Sequence, residues 1–151
     1  MQDRLDRKAV RLLMRQGRAS WAQVAEHLGL SAPAAAERVR RLEKQGVIRG
    51  YAALIRPESV GLLLNAFVMV TLERPQHRAR FLRYIERLPE VSECHHIAGE
   101  DDYLLKVRCR NPAHLDEVIN QKIKGVPGVT RTRTTIVLRT MKESVEVPLP
   151  E

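Results

Sequence analysis

Two adjacent helix-start signals, separated by a glycine-containing turn, constrain the fold of this chain more than any other feature. The run Ser20-Trp21-Ala22-Gln23 has the capping-box pattern, in which the Ser hydroxyl and the Gln side chain each bond a free backbone amide. Gly29 is placed to end that helix, and Ser31 to cap the next one, with Pro33 in the first turn. A helix, a short glycine turn and a second helix form a helix-turn-helix, which the sequence therefore predicts within residues 3–50.

Apolar periodicity extends this motif into a small domain. Apolar residues recur at helical spacing over residues 6–16, which predicts a first helix that Gly17 ends. The third helix is expected to run to Gln45, before Gly46. Short apolar segments then predict a β extension or small wing, at residues 47–48 and 51–55.

After a linker at residues 56–62, the pattern becomes one of alternating strands and helices. The predicted elements are strand, helix, strand, strand, helix and strand, at residues 63–72, 76–88, 91–98, 102–109, 112–124 and 129–138. This βαββαβ order is typical of the ferredoxin-like fold. The alternating tail 145–149 is expected to add an edge strand, because Pro148 lacks a backbone donor. The predicted fold class is therefore α+β, with a winged-helix-like helix-turn-helix domain at 1–55 and a ferredoxin-like domain at 63–151.

Positive charge is concentrated at the N-terminal end. Residues 1–56 carry 12 Lys and Arg and 5 Asp and Glu, a net charge of +7, whereas residues 57–151 carry a net charge of +1. This asymmetry favours a polyanion partner for the first domain, although a basic surface with no partner remains an alternative. Since no apolar run approaches the ~20 residues of a membrane span and the start lacks a secretory apolar stretch, we expect a cytoplasmic protein.

The third helix has one apolar and one basic face. Ala35, Val39 and Leu42 share the side expected to face the core. A basic exposed helix can enter the major groove of double-stranded DNA, where Arg binds guanine or phosphate. The candidate DNA contacts are Ser31, Pro33, Ala34, Glu37, Arg38, Arg41, Lys44 and Arg49. The alternative is a solvated face on which Glu37 pairs with Arg41.

Several segments together resemble the Lrp/AsnC family, the feast/famine regulators of bacteria and archaea. In the first half they are LDRKAVRLLMRQGR at 5–18, LGLS at 28–31 and ERVRRLEKQGVIRGYAALI at 37–55. In the second half they are AGEDDYLLKVR at 98–108 and VPGVTRTRT at 126–134. The resemblance implies a DNA-binding transcriptional regulator and homodimers that assemble further, often into octamers. One departure is Ser31-Ala32-Pro33, where many relatives have Ser directly before Pro.

The resemblance also implies an effector site for an amino acid between regulatory domains of neighbouring dimers. The family pattern Gly-x-x-Asp-Tyr is matched by Gly99, Asp102 and Tyr103. We expect Gly99 to adopt a backbone geometry closed to other residues and to admit a ligand closely. Asp102 is expected to accept an ammonium group or to orient backbone amides, and the alternative is a plain hairpin turn. Further candidate pocket residues are Thr134, Thr135 and Ile136.

A metal site and catalysis are weakly supported. Cys94 and His96 share one side of a predicted strand while His95 lies on the other, and this spacing, even with Cys109, lacks the paired ligands of a zinc site. No phosphate-binding loop, nucleophile motif or carboxylate pair appears, so we expect neither an enzyme nor a cofactor. Two alternatives remain: an architectural DNA-organising protein without effector, and a small-molecule-binding regulatory subunit.

Overall fold

A computed structural model describes residues 3–150 of the chain. These residues form two compact units: the helical unit, which comprises the described residues within 1–54 and 142–151, and the sheet unit, residues 55–141. The sequence predicts that the C-terminal tail belongs to the second domain, whereas the structure groups it with the helices. Leu149 packs against the helical core, and Arg15 pairs with Glu146 at 3.4 Å.

The helical unit contains three helices, α1 (Arg4–Arg15), α2 (Trp21–Leu28) and α3 (Ala32–Lys44). The predicted capping box at the start of α2 is confirmed, because the Gln23 amide donates to Ser20 Oγ at 3.3 Å and the Ser20 amide donates to Gln23 Oε1 at 2.8 Å. Gly29 ends α2 with a φ of 68°, a left-handed conformation that favours glycine. The helix-turn-helix is therefore built as the sequence predicts.

The core of the helical unit lies between these helices, and Ala35, Val39 and Leu42 are fully buried in it as predicted. The predicted β wing is wrong, because residues 45–56 contain no strand. The amides of Val47 and Ile48 both donate to the Leu42 carbonyl, so the chain leaves α3 in a turn.

The C-terminal tail also forms no strand, which corrects the second β prediction in this unit. The described residues of the helical unit contain no strand with which residues 145–149 could pair. Their alternating apolar pattern therefore does not lead to a β-strand. Val145 and Val147 instead line a surface cavity with Met14 and Tyr51. Burial, together with a hydrogen bond donated to Glu43 at 2.9 Å, raises the pKa of Tyr51 to about 12.

The sheet unit has the predicted βαββαβ order. Its strands are β1 (Leu64–Leu72), β2 (Val91–His96), β3 (Tyr103–Cys109) and β4 (Val129–Val137), all antiparallel in the order β2-β3-β1-β4. Its helices are α4 (Arg78–Ile85), after a 3₁₀ turn at Pro75–His77, and α5 (Pro112–Glu117), which continues as a π-helical segment at Val118–Ile123. A further 3₁₀ turn, Pro57–Val60, lies in the predicted linker.

The two faces of the sheet differ in burial. On one face, alternate residues of β1 and β3 are buried with apolar residues of α4, α5 and the π-helical segment, among them Phe81, Leu115 and Val118. On the other face, Phe67 and Met69 of β1 and Leu104 of β3 remain partly exposed. Among residues 3–150, no helix is both long and apolar enough to cross a membrane.

Candidate DNA-binding surface and effector site

The outer side of α3 is the candidate DNA-binding surface. A shallow depression on it is lined by Ala34, Glu37, Arg38, Arg40, Arg41 and Lys44. Ser31, Pro33 and Arg49 are also exposed, so most of the predicted contacts are accessible. The Ser31 hydroxyl accepts the Ala34 amide at 3.4 Å and thereby caps the helix.

Two of the predicted contacts, Arg38 and Arg41, are held by an acidic residue of another helix. Asp6 of α1 is fully buried, and its Oδ1 accepts Arg38 Nη1 at 2.6 Å and Arg41 Nη2 at 3.0 Å. Arg41 Nη2 also reaches Asp6 Oδ2 at 3.3 Å. Arg38 Nη1 donates in addition to Asp3 Oδ2 at 2.6 Å. We call these four residues the Asp6 cluster.

The two arginines of the Asp6 cluster differ in exposure and in their number of carboxylate partners. The side chain of Arg38 is 19% exposed and has two carboxylate partners, whereas that of Arg41 is 45% exposed and has one. The hydrogen bond from Arg38 holds the pKa of Asp3 below its usual value. Arg38 is therefore largely occupied within the protein, while Arg41 keeps free donors at the surface.

Sequence reasoning missed Asp6, although a signal for it exists. The residue falls on the same stripe of α1 as Ala9, Val10 and Leu13, which are buried. A charged residue on an apolar stripe requires a partner of opposite charge inside the fold. The sequence does not show which basic residue provides it.

The predicted alternative pairing on α3 takes another form. Glu37 pairs with Arg40 at 3.6 Å, with both side chains well exposed, rather than with Arg41. Lys44 and Arg49 form no hydrogen bond or ion pair within residues 3–150. These two cations are accordingly free to meet phosphate.

The candidate effector residues lie at the hairpin that joins β2 to β3. Asp102 is anchored there by three hydrogen bonds: its Oδ2 accepts the Leu72 amide at 2.7 Å, its amide donates to Val70 and its carbonyl accepts the Ile97 amide. The carboxylate thus orients a backbone amide at the end of β1, one of the two roles expected of it. Its other oxygen makes no hydrogen bond within the described residues.

Gly99 differs from its expected geometry. Its φ lies outside the left-handed range, so the backbone here is open to other residues and that expectation is wrong. A Cβ added at this position would meet no atom within 4 Å. The open space above Gly99 is still compatible with a close approach by a ligand.

Tyr103 belongs to the core of the sheet unit. It is 2% exposed, and its ring centre lies 5.0 Å from that of Phe81 and 5.3 Å from that of His96. Its hydroxyl is buried without a hydrogen-bond partner in the described part of the chain. A buried hydroxyl without a partner is costly, so this group is a ready donor to any polar atom that reaches it.

The candidate residues of β4 do not share one face. Thr134 and Ile136 stand opposite Val68 and Ala66, on the face covered by helices, whereas Thr135 stands opposite Phe67 on the open face. All three are exposed because β4 is an edge strand.

Asp101 is a second buried acid, which sequence reasoning did not place in the fold. Its side chain is 2% exposed and accepts hydrogen bonds from Thr71 at 2.9 Å, Arg131 at 3.2 Å and Arg133 at 2.7 Å. Burial disfavours the charged form, but the Thr71 hydrogen bond and the two arginine charges outweigh it and hold the pKa of Asp101 below its usual value. We call these four residues the Asp101 cluster.

The cysteines and histidines considered for a metal serve separate contacts. His95 lies 3.1 Å from Glu93 and His96 lies 3.1 Å from Arg78, while Cys94 is exposed and Cys109 is buried. Within residues 3–150 there is no group of three or more His, Cys, Asp or Glu residues placed to hold a metal ion.

Comparison with family models identifies both parts of the chain. Residues 3–43 match the AsnC-type helix-turn-helix domain, and residues 65–147 match the Lrp/AsnC ligand binding domain. The chain is 38% identical to the leucine-responsive regulatory protein of Escherichia coli over 144 residues, which cover 94% of this chain and 88% of that protein.

Solved structures agree over almost the full length. A transcriptional regulator of Neisseria meningitidis in complex with L-methionine superposes with a TM-score of 0.93 at 30% identity, covering 98% of this chain and 97% of that chain. The leucine response regulatory protein of Mycobacterium tuberculosis superposes with a TM-score of 0.86 at 39% identity, covering 97% of this chain and 99% of that chain.

Proposed function

This chain belongs to the Lrp/AsnC family of transcriptional regulators, and we propose that it reads double-stranded DNA with the outer side of α3 and responds to an amino acid at the β2–β3 hairpin. The observation that carries the first part is the exposed basic face of α3, directly after a well-formed turn. The proposal places the protein in the cytoplasm, together with the DNA it regulates.

The DNA contacts divide by position along α3. Residues at its start, Ser31, Pro33, Ala34 and Glu37, are exposed where recognition helices meet base edges. Arg41 has free guanidinium donors for a base or a phosphate. Lys44 and Arg49, which have no partner in the described residues, suit phosphate contacts.

Selection of DNA duplexes by the purified full-length protein tests this function directly. We expect enrichment of a defined sequence, and an affinity for it that falls steeply with salt because phosphate contacts release counterions. Binding that shows no preference among sequences would instead favour an architectural DNA-organising protein.

The proposed effector is an amino acid or a similarly small zwitterion. A relative from Neisseria meningitidis was solved with L-methionine, as was a feast or famine regulatory protein from Mycobacterium tuberculosis. In this chain, Asp102 has one oxygen available for an ammonium group, and the open backbone at Gly99 leaves room for a carboxylate. Tyr103, which directly follows this hairpin, and Thr134, Thr135 and Ile136, which lie on β4 beyond β1, are retained as candidate pocket residues.

The effector is proposed to act through assembly. The open sheet face, with Phe67, Met69 and Leu104 partly exposed, provides a self-complementary surface for a homodimer, and dimers are proposed to join into octamers. A ligand that favours one assembly must populate it. Calorimetry with each of the twenty amino acids, paired with sedimentation of the full chain, tests this; no binding at millimolar concentration would contradict it.

A further inference from the structure

The complete burial of a charged residue, Asp6, calls for an energetic explanation. Asp6 is completely buried on the apolar stripe of α1, where an aliphatic side chain would pack without loss of hydration. Replacing a buried ion pair by apolar residues is often neutral or stabilising, so stability alone does not account for it. The partners of Asp6 are two arginines that project from the DNA-reading helix.

The two arginines have different freedom to act at the surface. Arg38 places one nitrogen, Nη1, between Asp3 and Asp6, and four-fifths of its side chain is covered. Arg41 contacts Asp6 through Nη2 alone and is nearly half exposed. A guanidinium has five N–H donors in a rigid fork. Arg41 therefore keeps donors on Nη1 and Nε, while the contact of Nη2 with the buried Asp6 fixes the position of its side chain.

We propose that Asp6 is a positioning residue for DNA recognition, which holds Arg41 in the orientation that reads the duplex and withdraws Arg38 from it. This inference rests on the proposed use of α3 for DNA binding. Arginine has many rotamers, and ordering one on binding reduces affinity. A guanidinium that is already ordered by Asp6 avoids that loss at the specific site.

The same carboxylates also reduce indiscriminate attraction. Asp3 and Asp6 oppose the charges of Arg38 and Arg41, so these two arginines add little net positive potential to the surface. Non-specific affinity depends on net phosphate neutralisation, whereas specific affinity depends on placed donors. Removal of the Asp6 charge should therefore lower specific affinity and leave non-specific affinity unchanged or higher.

The experiment compares Asp6→Asn with Asp3→Asn in the full-length protein. Both variants remove one negative charge, but only Asp6 contacts Arg41. The probes are the best duplex from in vitro selection and an unrelated duplex of equal length, titrated over a range of salt. We expect Asp6→Asn to lower the ratio of specific to non-specific affinity by about tenfold, the size of one lost base contact, and Asp3→Asn by less than about twofold.

A double-mutant cycle separates positioning from a general structural effect. If Asp6 acts through Arg41, then Asp6→Asn should change the affinity ratio very little when Arg41→Ala is already present. An equal loss in both backgrounds would overturn the proposal, as would an unchanged ratio in folded Asp6→Asn or equal losses from the two Asn variants.

Folding is checked by circular dichroism. If Asp6→Asn is unfolded, Asp6→Glu serves as the test, because it keeps the negative charge and moves the carboxylate. A lowered ratio of specific to non-specific affinity in Asp6→Glu would support the proposal, and an unchanged ratio would overturn it. Failure of the underlying function is recognisable separately. In that case the parent protein would prefer no duplex, or Arg41→Ala and Lys44→Ala would both leave its affinity unchanged.

Discussion

The helical unit and the sheet unit each contain a buried aspartate that is paired with two arginines of a single element. In the Asp6 cluster, the arginines stand three residues apart on α3, and one of them is only 19% exposed. In the Asp101 cluster, Arg131 and Arg133 stand two residues apart on β4 and are 56% and 55% exposed. The first cluster links two packed helices, while in the second a buried aspartate lies beneath two largely exposed arginine side chains.

This difference in exposure predicts a difference in energetic weight. An ion pair screened by water contributes little, whereas removing one partner of a covered pair leaves a charge without compensation. Asp6 should therefore matter mainly for the fold of its unit and for the placement of Arg41. Asp101 should matter more for the charge and accessibility of the hairpin surface.

The largest effect is expected from Asp6→Ala. It removes the buried acceptor of both arginines and leaves Arg38 with only the exposed Asp3, so it should destabilise the helical unit by roughly 1.5–3 kcal/mol, the contribution of hydrogen bonds to a charged group. Trp21 is the one tryptophan of the chain and lies in this unit, so its fluorescence during urea unfolding reports the loss. A loss of stability no larger than that caused by Asp3→Ala would show that the Asp6 cluster does not stabilise the packing of α1 against α3.

Next in size is the effect of Arg41→Ala on DNA binding. The loss of one base contact would weaken binding to the selected duplex by roughly 1–3 kcal/mol and relax preference at one position. A phosphate contact would weaken all duplexes alike. Asp6 keeps Arg38 as a partner, so the fold should survive, and equal affinity for every duplex would contradict the assignment of this face.

Asp101→Asn is expected to have a smaller effect, visible in the dependence of stability on pH. The pKa of Asp101 is lowered in the folded state, so its contribution is present above its usual value of about 3.9 and disappears as the pH falls through the lowered value. In the variant, stability should fall less between about pH 5 and pH 2 than in the parent. Parallel curves from thermal unfolding would contradict this.

The smallest effect on stability is expected from Gly99→Ala. Since the backbone there is not left-handed and a Cβ would meet no atom within 4 Å, the change should stay within about 0.5 kcal/mol. If an amino acid approaches this backbone, the same methyl group should weaken its binding in calorimetry. Gly61→Ala, at a φ of 81° directly after the 3₁₀ turn of the linker, should show the reverse pattern of lower stability and unchanged effector binding.

The elements that sequence reasoning recovered are those specified by short-range signals. The capping box at Ser20 and the glycine cap at Gly29 act within one helical turn. The residues that make these contacts can therefore be recognised from the local sequence. The ferredoxin-like order followed from periodicity in the same way. The β wing at 51–55 and the edge strand at 145–149 were wrong because a strand needs a partner, and alternation alone does not provide one.

The sequence by itself determined the helix-turn-helix, the βαββαβ order and the set of residues from which a DNA surface is drawn. Only the tertiary structure decided which of those residues are free to act. Arg38 and Arg41 look alike on α3, and they differ because Asp6, more than thirty residues away, is buried against them. Electrostatic pairing across such a separation depends on how helices pack, and no local pattern encodes that distance.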